Sequence, residues 1–121
     1  MVGFGFTGRE KLKKTDEFSS VFNFRKRIHG SYLSLHYMPN TLGHARLGII
    51  VGRKTARRAV QRNYMKRLLR ELFRLAQPQL PAADILARPQ RAFTRAEYAM
   101  IRQEFLRLLE QLRERTGGKP T

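Results

Sequence analysis

The side chains best suited to catalysis are few and dispersed in this sequence. Its carboxylates are Glu10, Asp16, Glu17, Glu71, Asp84, Glu97, Glu104, Glu110 and Glu114. They form no acidic cluster of the kind that holds metal ions in a protein nuclease. Its histidines, seven and eight residues apart, lack metal-ligand spacing; they are His29, His36 and His44. Because a phosphate-binding loop and a nucleophile elbow are also missing, the side chains favour a binding protein over a self-sufficient nuclease.

Cations, in contrast, are concentrated in residues 53–74. This stretch carries nine Lys or Arg against one acid, Glu71, so its local charge is +8 within a net charge of +16. On a helical projection, one arc contains Arg62, Asn63, Lys66, Arg67, Arg70 and Arg74. The opposite arc contains Val60, Tyr64, Met65, Leu68, Leu72 and Leu75. Like charges four residues apart repel each other, so helix stability does not explain the pattern, which predicts binding to a polyanion.

Composition limits the class of protein. With 121 residues and 41% hydrophobic content, the chain is expected to form a single domain over residues 1–121, with flexible ends at about 1–9 and 116–121. Cysteine is absent, which excludes disulfides and thiolate metal sites. No apolar run is long enough to span a membrane and no export signal is recognisable, so we expect a cytoplasmic protein.

The N-terminal part of the chain predicts a short helix. Thr15 is a suitable cap, and Phe18, Val21 and Phe22 then recur on one helical face. Two interpretations remain open for this face. It packs into the core, or its phenylalanines stack on the bases of a single-stranded nucleic acid.

Three segments with strand patterns follow. Residues 24–28 alternate apolar and basic side chains, with Arg25 and Arg27 expected to point outward. Residues 32–37 alternate again, and residues 46–51 form an apolar, β-branched run that is typical of a central strand. Together these segments predict a meander of three antiparallel strands.

The remaining elements complete the fold class. Thr55 is expected to cap the basic helix, which should end near residue 77 because Pro78 cannot continue it, and residues 84–87 predict a buried strand. Thr94 and Glu97 form a capping box that opens a helix to about Arg115. Its apolar stripe is Tyr98, Ile101, Phe105, Leu108, Leu109 and Leu112. We expect an α/β (α+β) fold, a two-layer α-β sandwich of order α-β-β-β-α-β-α, with a mixed four-stranded sheet and a β-α-β crossover.

The stretch RRAVQRNYMKRLLRE resembles the protein subunit of bacterial ribonuclease P. The family signature is an Arg-Asn pair followed by Lys-Arg and then Arg, matched by Arg62, Asn63, Lys66, Arg67 and Arg70. Residues 16–22, 42–54 and 84–88 extend the resemblance, which covers about residues 10–112. Where the family usually has Arg directly after the Arg-Asn pair, this chain has Tyr64, so we expect a lost or relocated RNA contact there and not a lost function.

The resemblance implies an RNA-binding accessory subunit of a ribonucleoprotein endoribonuclease. In such a particle the RNA is the catalyst and removes the 5′ leader from precursor tRNA by hydrolysis, while the protein binds the leader and broadens the substrate range. Mg²⁺ would be bound mainly by the RNA and none by the protein alone. The implied partners are the catalytic RNA and precursor tRNA, with no obligate protein partner. The alternative is a non-catalytic RNA-binding protein of another particle, such as the ribosome.

The resemblance also implies two binding surfaces. The basic helix would lie against the catalytic RNA, through Arg53, Lys54, Arg58, Arg62, Asn63, Lys66, Arg67 and Arg70. A separate cleft between the first helix and the sheet would take the single-stranded leader, with Phe18 and Phe22 from the helix and His36 from the second strand as candidates.

Overall fold

The structure is a computed structural model that describes residues 15–116. The predicted flexible ends lie outside the described residues, apart from Thr116, whose hydroxyl donates to the carbonyl of Leu112 at the end of the last helix. No helix in the described part of the chain is long and apolar enough to cross a membrane.

The elements follow the predicted order. They are α1 (Thr15–Phe24), β1 (Lys26–His29), β2 (Leu33–Pro39), β3 (Arg46–Ile49), α2 (Ala59–Ala76), β4 (Ala83–Pro89) and α3 (Tyr98–Arg115). A single 3-10 turn continues α2, and another precedes α3, where the predicted capping box of Thr94 and Glu97 is present.

The sheet is mixed and four-stranded, with spatial order β1-β2-β4-β3. β2 pairs antiparallel with β1 and with β4. β3 pairs parallel with β4, and helix α2 forms the crossover connection between these two strands. The mixed sheet and its β-α-β crossover are therefore confirmed. The predicted three-strand meander is wrong, because β4 inserts between β2 and β3 and leaves β3 at an edge. The first five residues of β4 are buried and the strand is paired on both sides, so β4 takes the central position that we assigned to residues 46–51.

Helices cover both faces of the sheet. α2 and α3 pack together on one face, where Leu33 and Leu35 of β2 join the main core with Phe73 and Phe105. α1 packs on part of the other face, where Val21 contacts Leu86. Because side chains alternate along a strand, His36 points to the α1 side while Leu35 points to the core.

The boundary between α1 and β1 differs from the prediction. Phe24 is the last residue of α1 and not the start of a strand. Arg25 follows with a left-handed φ of 67°, and its N–H donates to the carbonyl of Phe22 at 3.3 Å. A left-handed residue directly after a helix redirects the chain, and here it starts β1.

The start and apolar face of the basic helix also differ. Residues 53–55 form a turn, and α2 begins at Ala59 with Arg58 as its cap, so the predicted cap at Thr55 is wrong. The buried face is centred on Met65, Leu68, Leu69, Leu72 and Phe73. Val60 and Leu75 lie at the ends of the helix, beyond the core, and are 72% and 62% exposed. At the start of α3, Tyr98 is likewise exposed, whereas the other five residues of its predicted stripe are buried.

Contacts from α3 hold the turn between β1 and β2. Glu104 is buried, and its Oε2 accepts from the N–H groups of Tyr32 and Leu33, both at 2.8 Å. Gly30 lies directly beside this carboxylate, where a side chain would collide with it. Arg115 donates to the carbonyl of Arg27 at 3.2 Å, so α3 also fixes the outer strand.

Candidate nucleic-acid interface

An arginine joins α1 to the sheet. Arg46 of β3 donates twice to Asp84 of β4, from Nε to Oδ1 at 2.8 Å and from Nη2 to Oδ2 at 2.7 Å. Its Nη1 donates to Oε2 of Glu17 in α1 at 3.1 Å. The hydrogen bonds to Asp84 are the main reason that the pKa of Arg46 is raised. Bidentate, charge-assisted pairs are among the strongest polar contacts, so this network fixes the position of α1 on the sheet.

The surface beside α1 is a cleft centred on Phe22. The Phe22 side chain is 46% exposed, and its ring centroid lies 4.9 Å from that of His36 at an interplanar angle of 40°. The guanidinium carbon of Arg88 lies 5.4 Å from the Phe22 ring centroid, which is cation–π geometry. The ring thus contacts an imidazole and a guanidinium group while part of it stays accessible.

Two depressions of about 400 and 380 Å³ flank Phe22, and we refer to them together as the α1 cleft. The first is lined by Phe18, Ser19, Phe22, Asn23, Ile50, Leu86 and Arg88. The second is lined by Phe22, Asn23, Arg25, Arg27 and His36. None of the carboxylates in residues 15–116 lines either depression, so the cleft combines exposed aromatic surface with three arginines.

His36 forms part of the floor of the cleft. It is only 3% exposed, and burial lowers its pKa below the ordinary value of 6.5, with further lowering by Arg88, Arg27 and His29. The imidazole is therefore neutral at pH 7 and offers one donor and one acceptor nitrogen. The positive charge of the cleft comes from its arginines.

The three residues predicted for the leader cleft lie together. Phe18 and Phe22 line one depression, and Phe22 contacts His36 in the other. The two interpretations of the first helix, core packing and base stacking, apply to different residues. Val21 is fully buried and Phe18 is half-buried against Leu86, as core packing requires, whereas Phe22 is exposed, as stacking on a base requires.

Sequence reasoning missed the arginines of this cleft. Arg27 lies opposite His36 in the register of β1 and β2, and Arg88 lies opposite Ser34 in the register of β2 and β4. Correct pairing of β4 with β2 would have placed Arg88 beside His36, but the predicted meander put β3 there. Arg25 was assigned to a strand, and only the left-handed turn after α1 brings it to the cleft.

The predicted contacts with the catalytic RNA lie on and before α2. Most are exposed: Arg53, Lys54, Arg58, Asn63, Arg67 and Arg70. Lys66 and Arg62 are half-buried. Within residues 15–116, no carboxylate pairs with any of the cations in this set. We refer to these eight residues as the α2 surface, and most of its charge is available to a polyanion.

Arg62 differs from the rest of the α2 surface. Its Nη1 donates to the carbonyls of Ala56 at 2.9 Å and Arg57 at 2.8 Å. These bonds hold the loop that leads into α2, a region where the helix has no side-chain cap. Arg62 therefore has a structural role that the helical projection did not indicate.

The α1 cleft and the α2 surface lie on opposite sides of the sheet. α2 packs on the face that carries Leu33 and Leu35, whereas the cleft is built on the face that carries His36. RNA bound to α2 is therefore separated by the sheet from RNA bound in the α1 cleft.

The carboxylates of the described residues do not form a metal site. No group of three or more His, Asp or Glu in residues 15–116 is arranged to hold an ion. Glu17 and Asp84 contact Arg46, Glu97 caps α3, and Glu104 binds backbone N–H groups. These residues do not fit a Mg²⁺ cage, which needs several free oxygen ligands.

Comparison with known proteins agrees with this geometry. The model of the Ribonuclease P family matches residues 6–113. A ribonuclease P protein component from Azoarcus sp. strain BH72 is 48% identical over 107 residues, which cover 88% of this chain and 89% of that protein. One from Chromobacterium violaceum is 46% identical over 99 residues, 82% of each chain. These relatives give no support to the ribosomal alternative.

Solved structures show the same fold. The RNase P protein from Thermotoga maritima superposes with a TM-score of 0.77 at 31% identity, covering 85% of this chain and 97% of that one. A Staphylococcus aureus RNase P protein mutant described as defective in mRNA degradation gives a TM-score of 0.76 at 25% identity, covering 85% and 87%. The chain therefore belongs to the ribonuclease P protein family, as a protein component of the tRNA-processing ribonucleoprotein whose RNA subunit is its partner.

Proposed function

We propose that this chain is an accessory subunit with two RNA-binding surfaces, in a particle whose RNA subunit is the catalyst. The particle hydrolyses one phosphodiester bond of precursor tRNA and so removes the 5′ leader. The observation that carries this proposal is the α1 cleft, where an exposed aromatic ring lies among three arginines and no carboxylate of the described residues is present. That combination suits a single-stranded, negatively charged ligand.

The α1 cleft is the proposed site for the leader. A leader varies in sequence, so its binding site has to rely on stacking and on contacts with the phosphates, which any base permits. Phe22 offers the stacking surface, and Arg25, Arg27 and Arg88 supply charge for the phosphates. Paired bases cannot stack on a side chain in this way, so the cleft favours the unpaired leader over the folded body of tRNA.

The α2 surface is the proposed site for the RNA subunit. Its unpaired cations neutralise phosphates, and Asn63, which has both donors and an acceptor, adds a directed contact that a cation cannot make. By bringing charge to a folded RNA, these side chains reduce the repulsion between its phosphates. Mg²⁺ is proposed to be bound by the RNA, since the described carboxylates of this chain do not fit it.

A cytoplasmic location is part of the same proposal, because a particle that processes precursor tRNA has to meet the transcript there. The bacterial relatives reported above fit this arrangement.

Reconstitution tests the proposed function. The purified chain is added to the RNA subunit at low Mg²⁺, and cleavage of 5′-labelled precursor tRNA is measured against the RNA alone. We expect stimulation by the chain and no cleavage by the chain without RNA. A chain that fails to stimulate the RNA contradicts the accessory role. Cleavage that persists without RNA contradicts RNA catalysis.

A further inference from the structure

A third depression lies between α2 and the start of α3, on the flank of α2 that faces away from Arg62 and Lys66. Its volume is about 400 Å³. It is lined by Tyr64, Arg67, Leu68, Glu71, Arg95 and Tyr98. The four residues from α2 are spaced at three- and four-residue intervals and therefore form one continuous helix face. We refer to this depression as the tyrosine pocket.

The tyrosine pocket offers aromatic surface that nothing in the described chain uses. Leu68 is buried at its base, and Tyr64 packs against the main core, so the Tyr64 ring is held in place. The Tyr98 side chain is 44% exposed. Within residues 15–116, neither tyrosine forms an aromatic pair or a cation–π contact.

The charges around the tyrosine pocket favour an anion. Within residues 15–116, Arg67 and Arg95 have no ion pair, whereas the carboxylate of Glu71 is already paired with Arg74. Two guanidinium groups therefore remain available at the rim. An acidic partner is attracted to this rim and a basic one is repelled.

The wall contributed by the start of α3 is fixed before any ligand binds. Glu97 Oε1 accepts from the N–H of Thr94 at 2.6 Å, and the hydroxyl of Thr94 accepts from the N–H of Ala96 at 3.2 Å. Arg95 and Tyr98 are therefore carried on a capped turn. A site that is already ordered loses less conformational entropy on binding.

We propose that the tyrosine pocket binds one unpaired base of the RNA subunit, with the base stacked on Tyr98 and the neighbouring phosphates held by Arg67 and Arg95. The proposal rests on the proposed contact between the α2 surface and that RNA. Arg67 belongs to both sites, so an RNA strand that lies along α2 reaches the mouth of the pocket. Tyr64 then contributes to a relocated RNA contact at the position where the family usually has an arginine.

Affinity for the RNA subunit alone, with no tRNA present, tests this proposal. Tyr98→Leu should weaken binding about tenfold, because stacking on one base is lost, and should leave the salt dependence unchanged. Tyr98→Phe keeps the ring and should restore full affinity. Met100→Leu is the matched control, since Met100 is 43% exposed and lies outside the pocket. Thermal unfolding of each variant checks that the fold is retained.

Chemical probing of the RNA subunit identifies the base. One unpaired nucleotide should be protected by the unaltered chain and reactive with Tyr98→Leu, while the rest of the footprint stays the same. If Tyr98→Leu leaves affinity and protection unchanged while Lys66→Gln weakens binding, the proposed base-binding role of the tyrosine pocket is overturned. The proposed function is not affected by that result. An unaltered chain that does not bind the RNA overturns both.

Discussion

The α1 cleft and the α2 surface are both cationic, but they are built in different ways. The cleft draws side chains from α1, β1, β2 and β4, and its central ring contacts both His36 and Arg88. The α2 surface comes from one helix and the loop before it, and most of its cations are exposed without an ion pair in residues 15–116. One is a shaped site that depends on tertiary structure, and the other is a charged face that depends on helical spacing.

This difference predicts how each surface responds to substitution. A charged face should lose affinity in proportion to the cations removed and should respond strongly to salt. A shaped site should be sensitive to contacts well away from the ligand, above all to the Arg46 network that positions α1. Variants can therefore separate the two surfaces.

The largest expected effect is on the network itself. Arg46→Met leaves the buried Asp84 carboxylate without its cation and should lower the free energy of unfolding by about 3 kcal/mol. Chemical denaturation measures the change. Arg74→Met, which removes the more exposed pair with Glu71, is the control and should cost less than about 1 kcal/mol. Equal costs would mean that the buried pair of Arg46 with Asp84 contributes no more to stability than an exposed ion pair.

The second-largest expected effect tests whether the α2 surface, and not the net charge of the chain, binds the RNA subunit. Lys66→Gln with Arg70→Gln should weaken binding to the RNA subunit about twentyfold at 0.15 M salt and reduce the salt slope by about 0.7–0.9 for each lost contact. The matched control is Arg102→Gln with Arg107→Gln, which removes two exposed cations from α3. If this control loses as much affinity, net charge and not the α2 surface binds the RNA.

A smaller effect tests the cleft directly. Phe22→Ala should weaken binding of the holoenzyme to leader-bearing precursor tRNA about tenfold, with mature tRNA unaffected, because one stacking surface is removed. Phe24 is a close control, since it is 45% exposed on the same helix and lies outside both depressions. Loss of binding to mature tRNA, or the same loss for Phe24→Ala, argues against a leader site.

The smallest expected effect is a pH dependence of stability from His36. Because burial and nearby arginines lower its folded pKa, the unfolded chain binds more protons than the folded one just below pH 6.5. The free energy of unfolding should therefore rise with pH up to about this value and then level off. Denaturation curves at several pH values measure it. His36→Gln should remove this pH dependence of the free energy of unfolding. If the pH dependence is unchanged in the variant, another titratable group causes it.

Local patterns predicted the α2 surface better than the cleft. The arc of cations, the capping box at Thr94 and the end of α3 at Arg115 all depend on neighbours within a few residues, and the structure contains them. The residues for which these patterns failed also have a local explanation. Val60 lies on the apolar arc but at the start of the helix, where no core reaches it.

The cleft could be predicted only in part, because it depends on strand order. Helical spacing placed Phe18 and Phe22 on one face and left core packing and base stacking open, and the family resemblance then assigned both of them and His36 to the cleft. Arg88 could not be added, since its place depends on β4 lying next to β2, and short strands with similar patterns do not reveal their neighbours. The bonds of Arg62 to the carbonyls of Ala56 and Arg57 were equally hidden, because they need the loop geometry.

Site-directed crosslinking tests the division between the two surfaces most directly. The chain has no cysteine, so Asn23→Cys in the cleft and Asn63→Cys on α2 each create one attachment point, and both asparagines are exposed. Each variant carries a photoactivatable group into the particle assembled with precursor tRNA. Position 23 should crosslink to the 5′ leader and position 63 to the RNA subunit. Crosslinks from both positions to the same RNA, or the reverse assignment, would contradict the account.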